Sequence, residues 1–177
     1  MKTLLNAKQV QSALERLYQA AVGDLPAHDP VAIVGIRTRG QTLAERILQR
    51  LQTEFPDRTF LQGVLDITLY RDDLTGRGGA HVVEPTEIGF DLNDAYILLI
   101  DDVLATGRSV RAALDALHDF GRPRVVRLGV LVDRGGRQMP IAADFVGKRF
   151  RVPASSRVHV QLKETDGQEG VFITQGE

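Results

Sequence analysis

The sequence predicts an α/β protein: a central parallel sheet flanked by helices on both faces. Two observations carry that prediction. Short, nearly continuous apolar runs recur at 31–36, 96–100 and 125–132, the pattern of strands buried on both sides. Between them lie segments whose apolar residues repeat every three or four positions, the pattern of helices with one buried stripe. A length of 177 residues suits one domain, and 43% hydrophobic with 25% charged residues is an ordinary globular composition.

Taken in order, residues 7–22 form a helix with Val10, Leu14, Leu17, Tyr18 and Ala21 on one stripe, stopped by Gly23 and Pro26. Strand 31–36 leads to a helix over 40–51, which turns Leu43, Ile47, Leu48 and Leu51 inward. Residues 59–70 read as strand, with Val64, Ile67, Thr68 and Tyr70. The polar, glycine-rich stretch 71–79 reads as an exposed loop, followed by a short strand and turn over 80–90. Strand 96–100 precedes a helix over 108–119, which buries Val110, Ala113, Leu114 and Leu117 and ends at Gly121 and Pro123. Strand 125–132, a glycine turn at Gly135 and Gly136, and short strands near 144–147, 158–162 and 171–174 complete the chain. No repeat or linker interrupts it, so residues 1–177 are expected to form a single domain.

With no cysteine, the chain has no disulfide, thiolate metal site or cysteine nucleophile. The longest apolar strip, 96–100, is far too short to cross a membrane, and residues 1–10 show no secretory pattern. A cytoplasmic location is the resulting expectation. The four histidines (His28, His81, His118, His159) lack metal-ligand spacing, and Ser155 and Ser156 have no evident base. The net charge of −1 hides a basic block: residues 122–157 hold nine basic and two acidic side chains, a local +7. Such a block suits a polyanionic or phosphate partner, or a solvated face.

Ligands of parallel sheets bind at the C-terminal strand edges, which directs attention to 37–40, 101–109 and 133–137. In the second of these, an apolar strand delivers Asp101 and Asp102, and Ala105-Thr106-Gly107-Arg108-Ser109 then opens a helix. Backbone N–H groups at a helix start, beside the Thr106 and Ser109 hydroxyls, form a phosphate cradle. Carboxylates repel phosphate, so Asp101 and Asp102 suit hydroxyls, a metal or developing positive charge. In 37–40, Arg37 and Arg39 offer cationic donors around Thr38, and Gly40 allows a tight turn into the next helix.

The strand, paired acids, Thr-Gly and helix resemble the 5-phosphoribosyl-1-pyrophosphate (PRPP) signature of type I phosphoribosyltransferases. Together with the 65–74 segment and the Leu131-Val-Asp-Arg-Gly-Gly-Arg-Gln-Met-Pro run, nearly the whole chain is similar to the PyrR-type family of pyrimidine-operon attenuation regulators and uracil phosphoribosyltransferases. The resemblance implies the type I fold with a small hood formed from the N- and C-terminal segments. It implies that Asp101 and Asp102 face the ribose hydroxyls, that 105–109 hold the 5-phosphate, and that Arg37, Thr38, Arg39 and Gly40 form the pyrophosphate turn. Tyr70, Arg71 and Asp72 would begin a flexible loop that closes over PRPP.

The resemblance further implies conversion of uracil and PRPP to uridine 5-monophosphate (UMP) and pyrophosphate. Mg²⁺ would be held mainly by substrate oxygens rather than by protein ligands. UMP-dependent binding of pyrimidine-operon leader mRNA is implied too, on a basic face that draws on Arg16, Arg137, Lys148, Arg149 and Arg151 of a homodimer or larger homo-oligomer. An RNA-binding regulator with little catalysis and a purine-base phosphoribosyltransferase remain the alternatives. Ala105 stands where relatives often carry an aromatic residue, and Gly136 where many carry histidine.

Overall fold

Five parallel strands in the order β3-β2-β4-β5-β6 form the main sheet of the computed structural model, which describes residues 1–72 and 82–175. They are β2 (Val31–Ile36), β3 (Leu61–Leu65), β4 (Tyr96–Leu104), β5 (Val125–Asp133) and β6 (Phe145–Arg149). The apolar strands are buried on both faces, as their sequences require. In β4, Tyr96, Leu98 and Ile100 pack into one core, while Ile97 and Leu99 pack into the other. The first core is closed by α1 (Ala7–Val22) and α2 (Arg39–Glu54), through Leu17, Leu43, Ile47 and Leu51. The second is closed by α3 (Arg108–Phe120), through Val110, Ala113 and Leu117, whereas Leu114, expected on the same stripe, is exposed.

A second sheet of three antiparallel strands, β1-β8-β7, stands apart from the first: β1 (Lys2–Asn6), β7 (Ser156–Gln161) and β8 (Gly170–Gln175). A single helical turn, α4 (Lys163–Asp166), connects β7 to β8. The sequence reading assigned no element to residues 1–6, because only Leu5 of β1 is buried and its pairing partner lies at the other end of the chain.

Three boundaries differ from the sequence reading. Strand β4 continues through Leu104, so Asp101 and Asp102 are strand residues, carried on by pairing of Asp101 with Val130 and of Leu104 with Asp133. The strand expected over 59–70 stops at Leu65. Asp66 Oδ1 accepts the Thr68 N–H at 2.8 Å and turns the backbone into a 3₁₀ turn, Thr68–Tyr70. In place of a strand over 80–90, the described residues there make one antiparallel bridge, Glu87 to Val64. Residues 73–81, most of the expected loop, lie outside the described residues. Among the described residues no helix is long and apolar enough to cross a membrane.

Candidate active site

Parallel register brings the C-terminal ends of β2, β3 and β4 together, with Ile36 beside Leu65 and Gly35 beside Ile100. The turn 37–40 therefore runs directly past the strand bearing the two acids. Gly40 makes this approach possible: a Cβ there would lie 2.5 Å from the Ile100 carbonyl oxygen. The Arg37–Thr38 peptide is cis.

A cleft of about 290 Å³ opens at this edge, lined by Arg37, Thr38, Arg39, Asp101, Asp102 and Ser109 together with Asp66, Thr68 and Arg71. Asp101 is 7% exposed, and its Oδ1 accepts the Asp102 N–H at 2.9 Å. Asp102 in turn accepts the Val103 N–H at 2.8 Å. Burial pushes both carboxyls above the usual range. For Asp101 the neighbouring Asp102 charge adds to the rise, whereas Arg39 moderates it at Asp102. The pair is thus short of positive charge, and a cation or cationic transition state placed between them gains from both.

The segment after β4 is braced from below. Its carbonyls point at the 134–139 loop: Leu104 O accepts the Arg134 N–H (3.0 Å), and Thr106 O accepts the N–H groups of Gln138 and Met139 (2.9 and 3.0 Å). Arg137 Nη1 donates to Ala105 O at 2.9 Å. With the carbonyls engaged, the N–H groups of Thr106, Gly107 and Ser109 carry no partner among the described residues. Gly107 caps α3 with φ +91°, and a Cβ there would sit 3.1 Å from Met139 Cβ. These N–H groups stand at the start of a 13-residue helix, where the helix dipole favours an anion.

The remaining expected residues divide. Arg71 lines the cleft. Tyr70 instead donates from its hydroxyl to Asp119 on α3 (2.5 Å), and Asp72 pairs with Arg108 at 2.6 Å, so these two side chains join residues 70–72 to α3. Arg37 donates to Glu84 (2.7 Å), Glu87 (2.9 Å) and Pro85 O (2.8 Å). Of the basic-face residues, Lys148, Arg149 and Arg151 are exposed, and Arg16 reaches the same edge strand by donating to Gly147 O at 2.9 Å. Arg137 is drawn inward, to Asp133 at 2.7 Å and the Ala105 carbonyl.

Sequence reasoning missed Asp66, Glu84, Glu87 and Asp166. Asp66 is 9% exposed. Burial pushes its carboxyl up, but hydrogen bonds from Thr68 and Glu84 with the Arg37 charge outweigh this and hold it below the usual range. A lone carboxylate between Leu65 and Ile67 was the available signal. Asp166 pairs with Arg39 at 2.6 Å from 127 residues away, a contact no local pattern marks. That pairing holds the Asp166 carboxyl down at about 2 and raises the Arg39 guanidinium. Arg39 and Asp102 also line a second cleft, about 490 Å³, against Val158, His159 and Val160 of β7.

The phosphoribosyl transferase domain family matches residues 1–161. The chain is 49% identical to the bifunctional protein PyrR of Roseiflexus sp., covering 97% of this chain and 94% of that one. It is equally identical to the bifunctional protein PyrR of Thermus thermophilus, covering 98% and 96%. Among solved structures, the hypoxanthine phosphoribosyltransferase of Staphylococcus aureus superposes with a TM-score of 0.69 at 19% identity, covering 96% and 89%. That of Trypanosoma cruzi superposes with 0.69 at 15%, covering 100% and 98%. The chain belongs to the phosphoribosyltransferase family and, within it, to the bifunctional PyrR group. At their level of identity the hypoxanthine enzymes show a shared type I fold and carry no base preference across.

Proposed function

We propose that this protein transfers the phosphoribosyl group of PRPP to uracil, forming UMP and pyrophosphate, and that its UMP-bound form binds pyrimidine-operon leader RNA. One observation carries the catalytic reading. Two adjacent carboxylates, raised by burial, face the cleft directly before a loop whose N–H groups are left for an anion. A sugar phosphate fits that order, with hydroxyls at the acids and its phosphate at the cradle.

In this reading, Thr106, Gly107 and Ser109 bind the 5-phosphate. Asp101 and Asp102 orient the ribose hydroxyls and favour positive charge on the ring as its bond to pyrophosphate lengthens. Arg39 and the N–H groups of residues 38–40 receive the leaving group, the Arg37 N–H being held by Leu65 O at 2.9 Å, and Arg71 meets it from the loop side. The uracil ring lies in the second cleft, between Val103 and β7.

Among the described residues no cluster of three or more histidine, aspartate or glutamate side chains could cage a metal. Two neighbouring carboxylates at an open cleft do fit Mg²⁺, which keeps most of its shell as water and polyphosphate oxygens. Bound with PRPP, Mg²⁺ would neutralise charge building on the pyrophosphate.

The RNA reading is favoured by the exposed cluster of Lys148, Arg149 and Arg151 with Arg16 at the β6 edge. It has the protein act in the cytoplasm as a homodimer or larger homo-oligomer. The catalytic test is a panel of bases with PRPP and Mg²⁺: uracil is expected to release pyrophosphate. Turnover of hypoxanthine or guanine with uracil inert overturns the base assignment.

A further inference from the structure

Arg39 stands at an awkward place for a cation. It is the first residue of α2, where unpaired N–H groups and the positive pole of the helix dipole gather. An anion must compensate it, and Asp166 of α4 does so with a two-point contact: Nε to Oδ2 at 3.1 Å and Nη2 to Oδ1 at 2.6 Å. Asp166 is itself fixed, since its Oδ2 also accepts the Leu162 N–H (2.9 Å) and the Thr165 hydroxyl (2.7 Å). The pair is half-buried, with side chains 38% and 15% exposed. Arg39 Nη1 has no partner among the described residues, and Arg39 lines both clefts beside Asp102.

We propose that Asp166 is a positioning residue for phosphate-chain recognition: its carboxylate holds the Arg39 guanidinium in one rotamer at the junction of the two clefts, with Nη1 left for the pyrophosphate group of PRPP. Building on the function proposed above, the pairing settles the long side chain before the substrate arrives, so an incoming anion immobilises little. It also ties the β7–β8 connection, which follows the strand that lines the second cleft, to the 37–40 turn.

The rival role is simple docking of that connection onto α2, and the protein contains its own control. Arg46 lies two turns further along the same helix and is clamped by Glu164 (2.7 Å) and Glu169 (2.8 Å) of the same connection, yet it lines neither cleft. Calorimetry with PRPP and with pyrophosphate, each with Mg²⁺, separates the roles without requiring turnover. Asp166→Asn is expected to weaken both ligands roughly tenfold while KM for uracil stays within about twofold, and Arg46→Gln to leave both affinities within about twofold of the parent. In an Arg39→Gln background, Asp166→Asn is expected to add nothing. Should Asp166→Asn fail to fold, Asp166→Glu keeps the charge but displaces the guanidinium by one methylene, and is expected to weaken PRPP at least threefold. Parent-like PRPP affinity in the folded Asp166 variants, an equal loss in Arg46→Gln, or independent losses in Asp166→Asn and Arg39→Gln would each overturn the proposal. A parent chain that binds PRPP but rejects uracil overturns only the base assignment, because these affinities do not involve the base.

Discussion

Asp101 and Asp102 set the terms at the residue scale, because their chemistry and their stability effect oppose each other. Burial raises both carboxyls, Asp101 the more. A raised folded-state value means that the native protein binds more protons than the unfolded chain above the ordinary carboxylate range, so stability falls as pH climbs through that window. Asp101→Asn keeps the acceptor for the Asp102 N–H and removes the charge. It is expected to stabilise the fold by about 1 kcal/mol at pH 8, with the gain shrinking toward pH 4, as urea melts at the two pH values would reveal. In turnover, the same substitution or Asp102→Asn is expected to lose on the order of 10²-fold in kcat, the scale of removing one preorganised electrostatic group; parent-like rates in both would remove the acids from the mechanism. Gly40 tests the geometry behind them. Its missing Cβ would meet a backbone oxygen that cannot rotate away, so Gly40→Ala is expected to cost about 2–3 kcal/mol of folding stability. The positions of the acids and the glycine at the cleft were legible because the acids end an apolar strand and the glycine opens the helix that follows one. Asp66 and Asp166 were not, because their meaning lies in what they hold: a turn in one case, an arginine 127 residues away in the other.

Periodicity located the elements packed on the main sheet, since an apolar run buried on both faces and a three-to-four-residue stripe each admit one reading. It failed where a single side chain redirects the backbone, as Asp66 does after β3, and where a strand such as β1 exists by pairing rather than by burying its own residues. The 105–109 loop, proposed to hold the 5-phosphate, shows the consequence for function. Arg137 counted toward a basic surface in the sequence, but in the fold its guanidinium grips Asp133 and the Ala105 carbonyl. Arg137→Gln therefore removes a brace on the loop's Ala105 carbonyl. PRPP and UMP, which share the 5-phosphate, are both expected to bind roughly tenfold more weakly, with RNA affinity reduced only in step with UMP occupancy. Calorimetry with each nucleotide checks this, and loss of RNA binding alone would return Arg137 to the surface role.

Over the whole molecule, the +7 block of 122–157 resolves into two populations. Arg127 and Arg137 are spent on carboxylates of the same chain, Asp24 and Asp133 respectively. Lys148, Arg149 and Arg151 stay exposed at the end of the β6 edge strand, where Arg16 is pinned through Gly147. A polyanion that docks here gains by releasing counterions, so its affinity falls with salt at a log–log slope of about −0.7 per phosphate contacted on single strands. Lys148→Ala with Arg149→Ala removes two such contacts and is expected to flatten the slope by about 1.4 while leaving uracil turnover unchanged. The edge strand β6 pairs with β5, and β5 pairs with the strand that carries both acids. The proposed nucleotide cleft and the basic edge thus belong to one continuous sheet. If UMP tightens RNA binding by some factor, RNA must tighten UMP binding by the same factor. Titrating leader RNA with and without UMP, then UMP with and without RNA, measures both sides of that equality. Unchanged RNA affinity with and without UMP, in the parent and in the double variant alike, would leave the basic edge a solvated surface and the protein a uracil phosphoribosyltransferase alone.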